Sequence, residues 1–226
     1  MVRKEVTIPI GEKGAVSGIL SMPEGYIEAG GTGIIISHGA ANDMDNPLIV
    51  FLADGLAEAG YVTLRFNFLY RQQNRKSPDS QHELEHTWAC VYRFLKDDAG
   101  CGLNAIVAAG KSMGGRIASQ MVANGMMTPD RLVFFGYPLH APGKQDRLRD
   151  DHLYRISIPM LFFEGTRDPF CDLHTLKNVL GRVESSWDLE IIEGGDHSFD
   201  LPKSATMSRQ EVYERMVNKT IEWLEH

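Results

Sequence analysis

The feature that most constrains the fold is a regular alternation, from residue 33 onward, of short β-rich runs and amphipathic segments. Such alternation is typical of a parallel sheet covered by helices on both faces. Residues 4–10 and 15–21 predict an opening antiparallel pair of strands. The later predicted strands are Gly33–Ser37, Tyr61–Phe66, Asn104–Ala109, Leu132–Tyr137, Pro159–Glu164 and Trp187–Ile192, and the predicted helices are 46–59, 80–97, 113–125, 172–181 and 208–224. The pattern predicts an α/β fold with a doubly wound, mainly parallel sheet of about eight strands.

Length and charge narrow the class of protein. The 226 residues most simply form one domain over 1–226, since no linker interrupts them. A net charge of −7 disfavours nucleic acid and anionic membranes as partners. Because the N-terminus lacks the apolar core of a signal peptide and no apolar run spans a bilayer, we expect a cytoplasmic protein. Cys90, Cys101 and Cys171 show no paired metal spacing and are expected to be reduced structural thiols.

One motif suggests zinc chemistry, namely His82-Glu-Leu-Glu-His86. On a helix, however, both histidines point roughly 160–200° away from Leu84, which begins the predicted buried stripe. A zinc site also needs a third protein ligand, and where the metzincin pattern would have a glycine at 89 and a ligand histidine at 92 the chain has Ala89 and Tyr92. We therefore predict a solvated, ion-paired helix face and no metal site.

A second motif, Gly110-Lys-Ser112-Met-Gly114, follows a predicted strand and precedes a predicted helix. This strand, sharp turn and helix are typical of a nucleophile elbow, in which glycines allow close backbone approach and the serine hydroxyl projects above the sheet. A serine hydroxyl is a weak nucleophile, so it needs a base that a carboxylate orients. The motif predicts Ser112 as the nucleophile of such a site.

The base and the acid should follow the serine in the chain. His197 lies in a loop directly after the last predicted strand, whereas His174 falls in a predicted helix and His226 is the last residue. Asp168 comes immediately after the strand Pro159–Glu164 and is the preferred acid. Asp172 is the rival acid, although it could instead cap the next helix. The sequence thus predicts a triad of Ser112, His197 and Asp168.

An oxyanion hole requires two backbone N–H groups. One should come from Met113, directly after the nucleophile, and the other from the loop Ser37-His-Gly-Ala-Ala41. Ala40 is preferred there, with Ala41 as the alternative, and His38 is interpreted as shaping the loop.

Two stretches without clear period, 67–79 and 138–155, follow strands and should lie beside the site. From them we predict that Tyr70 and His140 line the mouth of a substrate pocket. A basic cluster in the first stretch, Arg71, Arg75 and Lys76, is interpreted as a solvated loop, with binding of an anionic substrate group as the alternative.

The stretches IIISHGA, RFNF, GKSMGGR, GYPLHAPGK, IPMLFFEGTRDPF and GGDHSF together resemble the α/β-hydrolase superfamily, and within it the small, lid-poor dienelactone-hydrolase-like group. They are also similar to the branch that includes testis-expressed hydrolase-like proteins and a subunit of a chromatin-acetylating complex. Ser112, Asp168 and His197 fall on the superfamily's nucleophile, acid and base positions. Dienelactone hydrolases have cysteine where this chain has Ser112, so lactone specificity is not implied.

The resemblance implies a serine hydrolase of the carboxylesterase or thioesterase type, acting on a small acyl substrate without a cofactor, although no sequence feature separates ester, thioester and peptide cleavage. The alternative is a catalytically silent hydrolase fold kept as a binding or scaffold module. The loop between residues 137 and 158 is too short for a large lid domain, which predicts an open site.

Overall fold

A computed structural model describes residues 1–26 and 30–226. The strands are β1 Val2–Pro9, β2 Ala15–Met22, β3 Thr32–Ser37, β4 Val62–Phe66, β5 Ala105–Lys111, β6 Arg131–Phe135, β7 Met160–Gly165 and β8 Trp187–Ile192. The α-helices are α1 Pro47–Glu58, α2 Leu69–Gln72, α3 Gln81–Arg93, α4 Met113–Ala123, α5 Leu173–Leu180 and α6 Arg209–Leu224. A π-helical turn, Phe94–Asp98, continues α3, and short 3-10 turns lie at Gly11–Lys13 and Leu153–Arg155.

All eight strands form one sheet in the order β1-β2-β4-β3-β5-β6-β7-β8. β1 pairs antiparallel with β2, and β2 pairs antiparallel with β4, whereas every other neighbouring pair is parallel. The predicted α/β fold, with a mainly parallel sheet of about eight strands, is therefore confirmed.

The sheet separates two hydrophobic cores. Along β3, Ile35 packs with one core while Ile34 and Ile36 pack with the other, as expected because successive side chains of a strand point to opposite faces. Helices α3, α4 and α5 cover the first face, and α1 and α6 cover the second. Because both faces are buried, the central strands are almost continuously apolar rather than alternating.

Local signals fix where the helices begin. Asn46 caps α1, where its side chain accepts the Leu48 N–H and Pro47 occupies the first turn. Ser208 and Glu211 form a reciprocal capping box at the start of α6. Helix α2 was not predicted, since a single turn is too short to produce a helical period.

In the described part of the chain, no helix combines the length and hydropathy that crossing a bilayer requires.

Candidate active site

The predicted elbow lies between β5 and α4. Ser112 adopts φ 50° and ψ −115°, a conformation that costs a non-glycine residue roughly 1–3 kcal/mol. Hydrogen bonds hold this backbone from both sides, because the Ser112 N–H donates to the Phe135 carbonyl (3.2 Å) and the Arg116 N–H donates to the Ser112 carbonyl (3.0 Å). The strand and the helix therefore hold the serine in its strained turn.

Glycines make this turn possible. A Cβ atom at Gly110 would lie 2.3 Å from the backbone nitrogen of Gly115, and one at Gly114 would lie 2.3 Å from the Oγ of Ser37. Either distance is far inside van der Waals contact, so strand and helix approach this closely only because both side chains are absent. The motif glycines thus serve the close packing that the sequence pattern indicated.

Ser112, His197 and Asp168 form a continuous hydrogen-bonded chain. His197 Nε2 lies 2.8 Å from Ser112 Oγ, and His197 Nδ1 lies 2.6 Å from Asp168 Oδ2. The three residues follow β5, β8 and β7, whose carboxyl ends meet at one edge of the sheet. The structure therefore brings together the three residues that were predicted from separate parts of the sequence.

The carboxylate of this chain is sequestered. The Asp168 side chain is fully buried and the His197 imidazole is 20% exposed. The second carboxylate oxygen of Asp168 accepts the Phe170 N–H at 2.7 Å, and the Phe170 ring packs on the imidazole with centroids 4.4 Å apart. Asp172, the rival acid, instead caps α5 by accepting the Thr175 N–H at 2.8 Å.

The loop after β3 faces the serine, and its Gly39, Ala40 and Ala41 line the same cavity as Ser112 and Met113. Within the described residues, the N–H groups of Ala40, of its alternative Ala41 and of Met113 have no hydrogen-bond acceptor. Met113 begins α4, whose first N–H groups have no partner inside the helix. Unpaired backbone donors of this kind are what the predicted oxyanion hole requires.

His38 and Tyr70 hold this loop from behind. His38 Nδ1 donates to the Gly39 carbonyl (2.8 Å) while its Nε2 accepts the Phe68 N–H (3.2 Å), so the ring is the neutral tautomer. Burial lowers the pKa of His38 from 6.5 to about 4. The Tyr70 hydroxyl donates to the Ala40 carbonyl at 2.9 Å. Both side chains are completely buried.

The positions of Tyr70 and His140 correct the prediction that they line the pocket mouth. Neither lies among the cavity-lining residues. His140 is 1% exposed, and its Nε2 accepts the Asp172 N–H at 3.0 Å, which ties the loop after β6 to the loop that carries Asp168. Their polar atoms bond to backbone and face inward, which the sequence could not indicate because a loop has no period to orient its side chains.

Two further ionisable groups lie buried near the triad. Glu164 Oε1 accepts the Tyr137 N–H, and burial together with the Asp168 charge raises the pKa of Glu164 well above its ordinary range. The Lys111 ammonium has no hydrogen-bond partner among the described residues and lies 5.6 Å from the Phe199 ring centroid. Burial lowers the pKa of Lys111 to about 8.

A cavity of about 490 Å³ opens at the serine. Its apolar side includes Leu84, Met113, Ile117 and Phe170, and its cationic side chains are Lys111, Arg116 and Arg149. Leu84 belongs to the buried stripe that the sequence predicted for α3. Arg149 and Phe170 were missed, because they lie in loops where only tertiary contacts decide which side chains reach the cavity.

The histidines of the HELEH motif are both exposed, on the face of α3 opposite the buried Leu84. His86 Nε2 donates to the Ile10 carbonyl at 3.1 Å, and Glu83 forms an ion pair with Lys13 at 2.7 Å. Across residues 1–26 and 30–226, no three His, Cys, Asp or Glu side chains cluster as metal ligands would.

A second serine and histidine pair lies deep in the protein. Ser119 Oγ and His152 Nε2 are 2.8 Å apart, and Tyr137 Oη is 3.1 Å from the same nitrogen. Ser119 is fully buried within α4, and it does not line the cavity. No carboxylate in the described chain contacts the other nitrogen of His152.

Comparison with known proteins agrees with this architecture. The alpha/beta hydrolase domain family matches residues 31–225, and the chain therefore belongs to that family. A dienelactone hydrolase from Anabaena variabilis is similar over 100% of this chain and 97% of its own, with a TM-score of 0.76 and 20% identity. A serine hydrolase without a lid from Xanthomonas campestris is similar over 98% and 94%, with a TM-score of 0.74 and 19% identity.

A serine hydrolase homologue from Coxiella burnetii matches comparably, over 97% of this chain and 98% of its own, with a TM-score of 0.74 and 20% identity. At these identities the likenesses establish the fold. The resemblance to the testis-expressed branch stays a prediction.

Proposed function

We propose that the protein is a serine hydrolase that cleaves ester or thioester bonds of small acyl substrates. The observation that carries this proposal is the unbroken chain from Ser112 Oγ through His197 to the buried Asp168, with separations of 2.8 and 2.6 Å. Because the carboxylate accepts the proton of Nδ1, Nε2 is left as the acceptor that a serine hydroxyl requires.

Acylation begins when Ser112 Oγ attacks the substrate carbonyl carbon and His197 Nε2 takes the hydroxyl proton. The carbonyl oxygen becomes an oxyanion, which the N–H groups of Ala40 and Met113 stabilise. Collapse of this tetrahedral intermediate breaks the bond to the leaving group, to which His197 returns the proton. Asp168 stabilises the imidazolium throughout without being protonated.

Deacylation repeats the sequence with water. His197 removes a proton from the water molecule, whose oxygen attacks the acyl carbon of the acyl-enzyme. Ser112 then leaves with the proton from His197, and the carboxylic acid is released. The α4 N-terminus, directly beside Ser112, adds favourable potential for each oxyanion.

The cavity supports a small substrate. A volume of about 490 Å³ lies within the range of roughly 300–1,000 Å³ usual for small-molecule sites. Leu84, Ile117 and Phe170 offer apolar contact for an acyl or aryl group close to the serine.

A fluorophosphonate probe tests the proposal directly. The wild-type protein should be labelled at Ser112, and His197→Ala should abolish labelling while its circular dichroism spectrum stays native. Ser119→Ala is the matched control and should be labelled like the wild type.

The competing function is a binding or scaffold module. Folded wild-type protein that takes up no probe and cleaves neither p-nitrophenyl esters nor acyl thioesters would contradict the enzymatic proposal in favour of that module.

A further inference from the structure

The cavity at Ser112 is cationic within an acidic protein. Its lining contains three cationic side chains, Lys111, Arg116 and Arg149, but one carboxylate, Asp79. Asp79 is neutralised from outside the cavity, because Arg75 forms an ion pair with it and the Tyr70 N–H donates to it at 2.8 Å. The net charge of the chain is −7, so this local excess of positive charge runs against the overall balance.

Arg116 and Arg149 have no carboxylate partner in the described part of the chain. Arg116 Nη1 donates to Gln120 Oε1 at 3.1 Å, and Arg149 Nη1 makes a long 3.4 Å contact with the Pro138 carbonyl. A guanidinium carries five N–H donors, so most donors of both groups have no acceptor among the residues that the structure describes.

The two guanidinium groups also repel each other. Burial and then the charge of Arg149 lower the pKa of Arg116, which nevertheless stays charged because arginine does not deprotonate in proteins. The Glu85 carboxylate offsets this repulsion by less than Arg149 contributes to it, so an anion bound at the two groups would relieve it further.

Their backbones are nevertheless fixed. The Arg149 N–H donates to the Leu139 carbonyl at 2.8 Å, and the Arg149 carbonyl accepts the Tyr137 hydroxyl at 2.7 Å. Arg116 lies one helical turn after the serine, since its N–H donates to the Ser112 carbonyl at 3.0 Å. The backbones that carry both side chains are therefore held at a constant place relative to the nucleophile.

Arg71 and Arg75 belong to the basic cluster for which the sequence left anion binding as the alternative, and both have carboxylate partners. Arg71 is paired with Asp43 at 3.0 Å and Arg75 with Asp79, and neither lines the cavity. Their charges are already compensated within the protein.

Resting on the function proposed above, we infer that the substrate carries a carboxylate, which Arg116 and Arg149 bind while its ester or thioester lies at Ser112. Planar guanidinium groups suit a carboxylate because they can donate two parallel hydrogen bonds to it.

Two matched pairs of esters test this inference. Mono-p-nitrophenyl glutarate differs from p-nitrophenyl valerate in that a terminal carboxylate replaces a methyl group on the acyl chain. The pair 4-acetoxybenzoate and methyl 4-acetoxybenzoate places the carboxylate on the leaving group. In at least one of the two pairs, we expect kcat/KM for the anionic ester to exceed that of its neutral match by about tenfold or more. A charged hydrogen bond to the carboxylate permits an effect of this size.

The same assay on variants assigns the effect to residues. Arg116→Gln and Arg149→Gln should each lower that ratio by about tenfold, chiefly through KM for the anionic ester, and a native circular dichroism spectrum should show that each variant is folded. Arg147→Gln is the control, because Arg147 is an exposed arginine of the same loop that does not line the cavity. It should leave the ratio within about twofold, because its charge lies outside the cavity.

A binding measurement separates this inference from the proposed function. Calorimetry with Ser112→Ala protein should detect monomethyl glutarate but not dimethyl glutarate, and Arg149→Gln added to that variant should abolish the difference. Neutral esters cleaved without any preference for the anionic member would overturn the inference while leaving the proposed function intact. Failure to cleave any ester would overturn the proposed function, and equal binding of both glutarates would then overturn the inference separately.

Discussion

Two serine and histidine pairs in this protein have the same separation of 2.8 Å but differ in which group donates the hydrogen bond. At the cavity, His197 Nδ1 faces the Asp168 carboxylate, so Nε2 is the acceptor for the Ser112 hydroxyl. In the interior, the Ser119 hydroxyl donates to the Arg116 carbonyl (2.8 Å) and the Tyr137 hydroxyl donates to the Arg149 carbonyl (2.7 Å). Each hydroxyl has one proton, and with both protons directed at carbonyls we infer that His152 Nε2 donates to the two hydroxyl oxygens.

The tautomer, which the partners of the two ring nitrogens set, therefore decides whether a histidine can act as a base, and the distance to the serine does not. In the inferred tautomer His152 carries its proton on the nitrogen that faces Ser119 and cannot accept one from it. Burial lowers the pKa of His152 from 6.5 to about 4, which keeps this ring neutral near pH 7. We interpret the interior pair as structural.

Removing each serine in turn should produce the largest difference in kcat between the two pairs. Ser112→Ala should lower kcat for a p-nitrophenyl ester by about 10⁴ or more, because the nucleophile is lost. Ser119→Ala should leave kcat within about threefold and lower the free energy of unfolding by about 1–3 kcal/mol, as expected when a buried hydrogen-bond partner is removed. Steady-state kinetics and urea unfolding measure both. Loss of activity in Ser119→Ala at native stability would contradict the assignment.

Asp168→Asn should test whether the tautomer of His197 decides its activity as a base. The amide can donate to Nδ1, which favours the tautomer with the proton on Nε2 and so makes His197 resemble His152. We expect kcat to fall by about 10⁴ with little change in KM. Asp172→Asn is the matched control at the rival position and should retain activity, since Asp172 caps α5. Comparable losses in both variants would point to a structural effect of the loop.

The neutral buried histidines predict acid sensitivity. The pKa of His38 and of His152 is about 4 in the folded protein, against 6.5 for an exposed histidine. Between about pH 6.5 and pH 4, these histidines are therefore protonated in the unfolded chain but neutral in the folded protein. The free energy of unfolding should fall across this window by up to about 3 kcal/mol for each residue, and above pH 6.5 neither affects it.

Urea unfolding from pH 7 to pH 4 checks this expectation. His152→Gln should lose stability less steeply than the wild type as the pH falls, whereas His82→Gln, at an exposed position, should parallel the wild type. Parallel curves for wild type and His152→Gln would contradict the prediction.

The smallest effect is expected at the HELEH histidines. Replacing His82 and His86 together by alanine, or adding a chelator, should change kcat by less than about twofold, because the motif lacks a third ligand. Ester hydrolysis with and without EDTA measures this. A loss of activity that zinc restores would contradict it.

Much of the fold and the triad could be predicted from sequence because both depend on local signals. Glycine spacing marks the elbow at Ser112, and the order of strands places Asp168 and His197 at neighbouring strand ends. Parallel strands bring these ends together whatever the loops do. The limits of the predicted strands differed from the observed ones by at most two residues, as at β5, which continues to Lys111.

The rest depends on contacts between distant loops. Tyr70 and His140 were predicted at the cavity, yet their polar atoms bind backbone groups of Ala40 and Asp172. Arg149 reaches the cavity because its backbone bonds to Leu139 and Tyr137. No periodicity within residues 138–155 records these contacts, so the sequence identified the reacting groups but not the walls of the pocket.

The strained backbone of Ser112 has an evolutionary consequence. A glycine would adopt φ 50° and ψ −115° without the cost that a side chain imposes. Replacing Ser112 by glycine would therefore relieve the backbone strain at this position. In a lineage that kept the fold but no longer used its chemistry, selection for stability alone would favour glycine at position 112.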